Sequence, residues 1–303
     1  MTTSPMQTGA PVRSQNLASG TAEIAAFARA LASREPDRSV RGPDRLAGEL
    51  LSAEWRARLR YPAWMGRWQL ERVTPGTYYY VLARTRHVDQ ALLQALAGGT
   101  RQVVILGAGF DTRAARLEES LGGVQIFEVD DPGAQVVKKF RWEEALGGLP
   151  ENVAYVPLDL EGQPLAEALQ AAGYQTHAKT FFIWEGVSYY LSPAAVDAVL
   201  NFAAHGCGMG SAIVFDYALE SFVRGERLTA QQARVRPVYA AAGEPLRFGI
   251  GDGRSGAFLQ ERGLRLLSDL GPAELEQLYL TRKNGRRYGR PSDYVRIALA
   301  ANG

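Results

Sequence analysis

The chain has 303 residues, enough for one large α/β domain with a cap or for two small domains. Its formal net charge of +2 lies too near balance to call for nucleic acid or an acidic membrane surface as a partner. The single cysteine, Cys207, excludes an internal disulfide and a cysteine-built metal site, and a reducing, cytoplasmic setting is expected.

Residues 1–20, opening MTTSPMQTGAPVRSQN, lack the charged start and apolar core of a secretory signal and read as a disordered leader or an arm. No later stretch approaches the roughly 20 apolar residues of a membrane span. Thr21 to Ser33 is alanine-rich, with apolar residues at helical spacing and a threonine where an N-cap belongs. After a loop marked by Pro36, Gly42 and Pro43, Asp44 is expected to cap a second helix running through LAGELLSAEWRARL. Tyr61, Trp64, Trp68 and Tyr78 to Tyr80 then form an aromatic tract, read either as a lid over a site or as packing of the helical cap on the sheet. Val81 to Leu96 is an amphipathic helix with Arg84 and Arg86 off its apolar stripe.

Val103 to Leu106 reads as a buried parallel strand, because a strand covered on both faces shows a continuous apolar run. It breaks at Gly107-Ala108-Gly109, where glycines allow a sharp turn and bring bare backbone against a ligand. The dinucleotide fingerprint wants a third glycine where Thr112 stands, and the carboxylate of Asp111 is poor company for phosphates. An acid at the mouth suits a ligand with a cationic end. The next strand, Val124 to Val129, runs into Asp130-Asp131, so a carboxylate arrives roughly 20 residues after the glycines, as a ribose-binding residue should. Nucleoside plus cation without a phosphate cradle points to S-adenosylmethionine.

Further on, Pro132 to Leu146 makes a helix opened by proline, Val153 to Val156 a third strand followed by Asp159-Leu160, and PLAEALQAAG a helix. Lys179 to Trp184 is the fourth strand, ending at Glu185-Gly186-Val187-Ser188-Tyr189-Tyr190. Ser192-Pro193 caps a helix, and Ser211 to Tyr217 is the fifth strand, with Asp216 at its ligand-facing end. Residues from about 218 to 247 read as a helical insertion over the substrate side. A helix (Gly256 to Arg262), a strand (Leu264 to Asp269), a helix (Pro272 to Tyr279) and a closing strand (Tyr294 to Ala300) complete the pattern. The fold class is therefore α/β, with about seven strands alternating with helices and a final antiparallel pair.

The blocks VLARTRHVD, GAGFDTRAARL, FEVDDP, VPLDL and WEGVSYYL occur in this order, and together they resemble the leucine carboxyl methyltransferase family, in particular its bacterial branch of S-adenosylmethionine-dependent O-methyltransferases. The resemblance runs from about Thr21 to the C-terminus. It implies a class I methyltransferase, Rossmann-like sheet, mostly parallel, in a domain over 21–303, with a helical cap or lid over 21–98 and a core over 99–303. It also implies roles: Arg84 for the cofactor's methionine carboxylate, Gly107, Ala108 and Gly109 for the turn beneath it, Asp130 for the ribose, Asp159 and Leu160 for the adenine, and Glu185 for the ammonium group. A guanidinium suits a carboxylate through two parallel charge-assisted hydrogen bonds. Tyr79, Tyr189, Tyr190 and Asp216 are candidate acceptor residues, and the two tyrosines of the Glu185 block could equally be packing.

Methyl transfer from a sulfonium needs mainly alignment of two reactants and exclusion of water, which can supply roughly 7 to 11 kcal/mol. His87, His177 and His205 are scattered without ligand spacing, so no metal is expected. No residue stands out as a general base, which tilts the acceptor toward a carboxylate or an acidic phenol, and the resemblance to the bacterial branch implies a small molecule of secondary metabolism. A protein C-terminus as acceptor, a non-catalytic S-adenosylmethionine sensor and a nicotinamide oxidoreductase are the competing readings. A serine hydrolase is poorer, since Gly186-Val187-Ser188-Tyr189-Tyr190 lacks the second glycine of a nucleophile elbow. The oligomeric state is not legible.

Overall fold

The computed structural model describes residues 20–303, so the leader expected over residues 1–20 lies, but for Gly20, outside the described residues. Helices α1 (Gly20–Ser33), α2 (Ala53–Arg58), α3 (Ala63–Val73) and α4 (Thr77–Ala97) precede the first strand. The chain then alternates through β1 (Gln102–Leu106), the short α5 (Arg113–Arg116) and α6 (Glu118–Leu121), β2 (Gln125–Asp130), α7 (Pro132–Leu146), β3 (Val153–Pro157), α8 (Leu165–Ala171), β4 (Thr180–Trp184), α9 (Pro193–His205) and β5 (Ala212–Ala218). It closes with α10 (Glu220–Arg224), α11 (Ala230–Ala241), α12 (Ser255–Gln260), β6 (Leu264–Leu270), α13 (Pro272–Tyr279) and β7 (Val295–Asn302).

The strands form one seven-stranded sheet in the order β3-β2-β1-β4-β5-β7-β6. β1 to β5 pair in parallel, while β7 runs antiparallel to both of its neighbours. The chain moves outward from β1 through β2 to β3, then returns to place β4 on the other side of β1. Ligands of open α/β sheets bind in the crevice at such a switch point, outside the carboxyl ends of the strands.

Because strand side chains alternate between faces, the sheet builds two cores. Val103, Ile105, Phe181, Ile183 and Val214 face a layer that includes α1 and α4, with Phe27, Leu31, Val81 and Val88 in it. Val104, Leu106, Phe127, Phe182, Trp184 and Phe215 face the other layer, where α8 and α9 supply Leu169, Val196 and Leu200. Fully burying an aliphatic or aromatic side chain of this kind contributes roughly 1.5–3 kcal/mol, which is why the apolar runs of β1 and β4 fix the sheet's centre.

Two expectations need correction. The helix expected after Asp44 does not run from Leu46 to Leu59; residues 44–51 form successive turns, and helix begins only at Ala53, capped by the Ser52 hydroxyl. Asp44 does accept from the N–H groups of Leu46 and Ala47, but its carboxylate also binds Arg29 and the Thr112 hydroxyl. Those distant ties anchor the segment between α1 and the turn before α5, and local helix propensity yields to them. The aromatic tract is also divided: Tyr61, Trp64 and Trp68 are exposed, whereas Tyr78 and Tyr80 are buried at the start of α4.

The start of α4 is set by its cap. Gly76 has φ +88°, and a Cβ there would lie 2.6 Å from the backbone nitrogen of Ser292, so only glycine fits. Glu71, from the last turn of α3, accepts hydrogen bonds from the backbone N–H groups of Gly76 (2.7 Å) and Tyr78 (3.0 Å). Burial pushes its carboxyl up to about 7, against those two hydrogen bonds and the charge of Arg67. A value raised on folding means that ionising Glu71 costs stability as pH rises through the window from about 4.5 to about 7. Glu71→Gln is therefore expected to gain stability relative to the wild type between about pH 5 and about pH 8, and urea midpoints at those two pH values check it. Midpoints that shift in parallel for both proteins would remove Glu71 as the source.

Candidate active site at the carboxyl ends of the strands

Four adjacent strand tips carry the groups singled out in the sequence. In the register, Leu106 of β1 lies beside Val129, Asp130 of β2 beside Pro157, and Trp184 of β4 beside Phe215. The turn after β1, Asp130, the segment after β3 and Glu185 therefore share one edge, with neighbouring strands about 4.8 Å apart.

Gly107 and Gly109 both have positive φ, +64° and +47°. A Cβ on Gly107 would come within 2.3 Å of Val187, so this glycine lets the turn after β1 pack against the turn after β4. Gly109 differs, since a Cβ there would meet Ala22 and the Gly107 carbonyl only at an ordinary contact distance of 3.9 Å; its left-handed φ is what calls for glycine. Asp130 is pinned beside it, accepting from the backbone N–H groups of Gly109 (2.6 Å) and Asp131 (2.8 Å). Each oxygen keeps a second lone-pair site, so the carboxylate can still receive a pair of vicinal hydroxyls. Burial holds its pKa above the usual carboxylate range despite those hydrogen bonds. Asp159, exposed just past β3, accepts from the N–H of Glu161 (2.9 Å), and its own N–H donates to Gln163; Leu160 beside it is half-buried. Leu158 donates its N–H to the carbonyl of Asp130 (2.8 Å), which ties this segment to the β2 tip.

At the β4 tip the arrangement is denser. Arg84 donates from Nη1 to Asp216 Oδ2 (2.7 Å), and its Nε lies 3.3 Å from Glu185 Oε1. Arg113 donates from Nη1 to Glu185 Oε2 (2.6 Å) and to Asp111, and from Nε to Asp89 (2.8 Å). Tyr80, one turn before Arg84 on the same helical face, donates its hydroxyl to Asp216 (2.9 Å), and the N–H of Gly186 donates to the other oxygen of Asp216 (2.7 Å). Burial alone would raise the pKa of Glu185, but the guanidinium groups of Arg113 and Arg84 hold it below its ordinary value. Asp111 is likewise held down to about 2, its burial outweighed by Arg113, Lys138 and Arg116. Three carboxylates (Asp111, Glu185, Asp216) thus face two guanidiniums (Arg84, Arg113), and Asp130 adds a further acid nearby. The edge carries surplus negative charge and fits a ligand with a cationic end. Arg84 is thus held between Asp216 and Glu185, and the Tyr189 hydroxyl hydrogen-bonds the same guanidinium.

Two of the proposed acceptor residues are placed otherwise. Tyr79 is occupied by edge-on ring contacts with Tyr78 and Tyr288 and lies against Gly289; helical geometry turns it away from Arg84 and brings Tyr80 there instead. Asp216 is 1% exposed and fully engaged by Arg84, Tyr80 and Gly186, so it is the partner of Arg84 and has no room for an acceptor. Tyr189 is buried near Gly186, whose Cβ would lie 3.6 Å from its hydroxyl, and Tyr190 is half-buried beyond it. Arg113 and Tyr80 were not singled out in the sequence. A signal existed for each: Arg113 closes the GAGFDTR block, and Tyr80 stands four residues before Arg84. Among the described residues no group of three or more His, Cys, Asp or Glu could hold a metal ion, and no helix is long and apolar enough to cross a membrane.

The strand order, the final antiparallel strand and the acid-lined edge define a class I methyltransferase fold. A solved structure from Thermobifida fusca YX, provisionally titled a methyltransferase, superimposes with a TM-score of 0.59 over 95% of this chain and 96% of its own, at 12% identity. The profile of the leucine carboxyl methyltransferase family matches residues 22–204, and the chain belongs to that family. Among its relatives, a Bacillus subtilis (strain 168) protein provisionally named an S-adenosyl-L-methionine-dependent methyltransferase is 31% identical over 67% of this chain and 66% of its own length, just under two thirds. A Mycobacterium sp. (strain KMS) protein with the same provisional name is 32% identical over 85% of this chain and 87% of its own.

Replacing Arg84 by alanine leaves Asp216 and Glu185 charged and short of their partner, a loss expected to cost about 3–5 kcal/mol of folding stability. Truncating Asp216 to alanine as well removes the uncompensated charge and is expected to restore part of that loss in a double-mutant cycle read by denaturant unfolding. Additive losses would show that the pair is not coupled.

Proposed function

We propose that this protein transfers a methyl group from S-adenosylmethionine to an oxygen atom of a small-molecule acceptor, as enzymes of secondary metabolism do. The observation that carries the reading is the surplus of carboxylates on one sheet edge beside the Gly107-Ala108-Gly109 turn, because it complements a nucleoside bearing a cation and repels a pyrophosphate. The names of the relatives support the donor and the methyl transfer.

In this reading Asp130 receives the ribose hydroxyls, Asp159 and Leu160 border the adenine, and the backbone of Gly107, Ala108 and Gly109 passes beneath. Glu185, kept ionised by Arg113 and Arg84, holds the ammonium group. Arg84 presents its guanidinium to the carboxylate while Asp216 holds it from turning. When bound, the donor supplies an electrophilic methyl on a positively charged sulfur. The protein's part is to align the acceptor oxygen with that methyl and to keep water out, and alignment alone can contribute roughly 7 to 11 kcal/mol. The segment from about 218 to 247, which carries α10 and α11, covers the acceptor side, where Tyr190 stands.

Asp130→Ala is expected to weaken S-adenosylmethionine binding by at least about tenfold in calorimetry, since charge-assisted hydrogen bonds to the ribose contribute about 1.5–3 kcal/mol. Its thermal midpoint should stay close to that of the wild type, because Asp130 is anchored only by backbone N–H groups of its own edge. Unchanged affinity would displace Asp130 from the site. Tighter binding of a nicotinamide dinucleotide than of S-adenosylmethionine by the wild type would overturn the reading itself.

A further inference from the structure

Beyond Tyr189 a wall of rings leads away from the strand tips. Tyr189 and Tyr190 lie 4.7 Å apart between centroids, Tyr190 and Tyr239 6.2 Å, and Tyr239 and Tyr294 6.2 Å with their hydroxyls 3.2 Å apart. Tyr294 in turn stacks on Phe222 at 4.3 Å. Tyr190 and Tyr239 are only half-buried, so this part of the wall keeps accessible ring surface. Glu244 follows the end of α11, with its N–H bound to the carbonyl of Tyr239 (3.3 Å). The next residues are clamped across the Ser188–Tyr190 turn, where the N–H groups of Arg247 (2.8 Å) and Phe248 (3.3 Å) both donate to the carbonyl of Tyr189. Glu244 is thereby fixed beside the aromatic wall. The Tyr190 hydroxyl reports its proximity: its pKa is held well above the ordinary phenol range by burial first, and then by Tyr189 and Glu244.

The Oε2 atom of Glu244 is buried and has no hydrogen-bond partner among the described residues. An unpartnered buried carboxylate oxygen costs free energy unless a donor arrives. Arg247 is paired with Glu161, and Arg84 with Asp216 and Glu185. The wall and the lone carboxylate would repel a carboxylate acceptor. They suit a neutral aromatic molecule that presents a hydroxyl.

We propose that Glu244 is the proton acceptor for the reaction and that the acceptor is a neutral aromatic hydroxyl compound seated against Tyr190 and Tyr239. The proposal rests on the methyltransferase reading and narrows it, choosing a hydroxyl with a base where the sequence, for want of one, suggested a carboxylate or an acidic phenol. In the step, the hydroxyl proton passes to Glu244 Oε2 and the oxygen's electron pair forms the new bond to the methyl carbon. The bond from that carbon to the donor's sulfur breaks, its electron pair staying on sulfur, which loses its positive charge. Glu244 then returns the proton to solvent. A base of this kind contributes about a hundredfold or more to the rate.

The test uses the full chain, with 4-nitrophenol, 4-nitrocatechol and benzoate as probes. Without the donor, a phenol held beside Glu244 should bind in its neutral form, with its apparent pKa raised in an absorbance titration; Glu244→Gln should abolish the rise. With the donor, Glu244→Gln should lower kcat for the phenol at least about a hundredfold while leaving S-adenosylmethionine affinity unchanged in calorimetry, and its rate should then follow the phenol's own ionisation. Glu244→Asp should recover part of both effects. The proposal is overturned if the wild type binds neither phenol, if benzoate is bound or methylated in preference, or if the Gln variant keeps the pKa rise and the rate. Failure of the wild type to bind S-adenosylmethionine would instead sink the broader reading, so the two failures are distinguishable.

Discussion

The structure depends on one lattice of buried charge. Arg84 on α4, Glu185 past β4, Asp216 on β5 and Arg113 at the start of α5 come from four separate parts of the chain, and each is short of a partner without the others. Asp89 on α4 extends the lattice by pairing with both Arg113 and Arg116. Buried ions are costly to desolvate, so such a lattice adds little net stability compared with apolar packing of the same volume. Its effect is to make wrong registers expensive. A shift of α4 by one residue would move Tyr80 and Arg84 off Asp216 and leave unpaired charge in the core.

The same lattice connects packing to chemistry. Glu185 stays ionised in a place where burial alone would favour its neutral form, because two guanidiniums hold it so. The glycine turn is held close by Val187 against Gly107, and the N–H of Gly109 is fixed on Asp130. Rigid charges around the glycine turn provide a prearranged setting for a cationic ligand, and little needs to reorganise when one arrives. Around Tyr190 the material is different. Rings and one unpartnered carboxylate replace ion pairs, so the edge is divided into a charged half and an aromatic half.

Much of this was legible from the chain. The strands lie within about two residues of where apolar runs and turn signals put them, since a strand buried on both faces leaves a continuous apolar signature. Asp130, Asp159 and Glu185 can be read as candidates because each stands at or just past a strand end, where parallel topology leaves room for a ligand. Less was legible where long-range contacts decide. Tyr79 and Tyr80 are identical in sequence terms, and only the helix phase fixed by Arg84 and Asp216 separates them. Asp216 looked like an acceptor residue until burial showed it to be a counter-ion. The turns at 44–51 read as helix because Asp44 carries a cap signal, whereas its ties to Arg29 and Thr112 come from elsewhere in the fold. Glu244 carries no sequence signal at all, being one acid among several in a mixed stretch.

By itself the sequence determined the alternation of strands and helices, the glycine turn without a phosphate cradle and the acids that follow each strand, because these follow from local periodicity and short-range backbone chemistry. Tertiary structure alone decided which arginine meets which acid, which tyrosine of three faces the edge and which carboxylate is left without a partner. Those outcomes depend on desolvation and on distances between residues far apart in the chain, and neither is encoded in any one stretch of it.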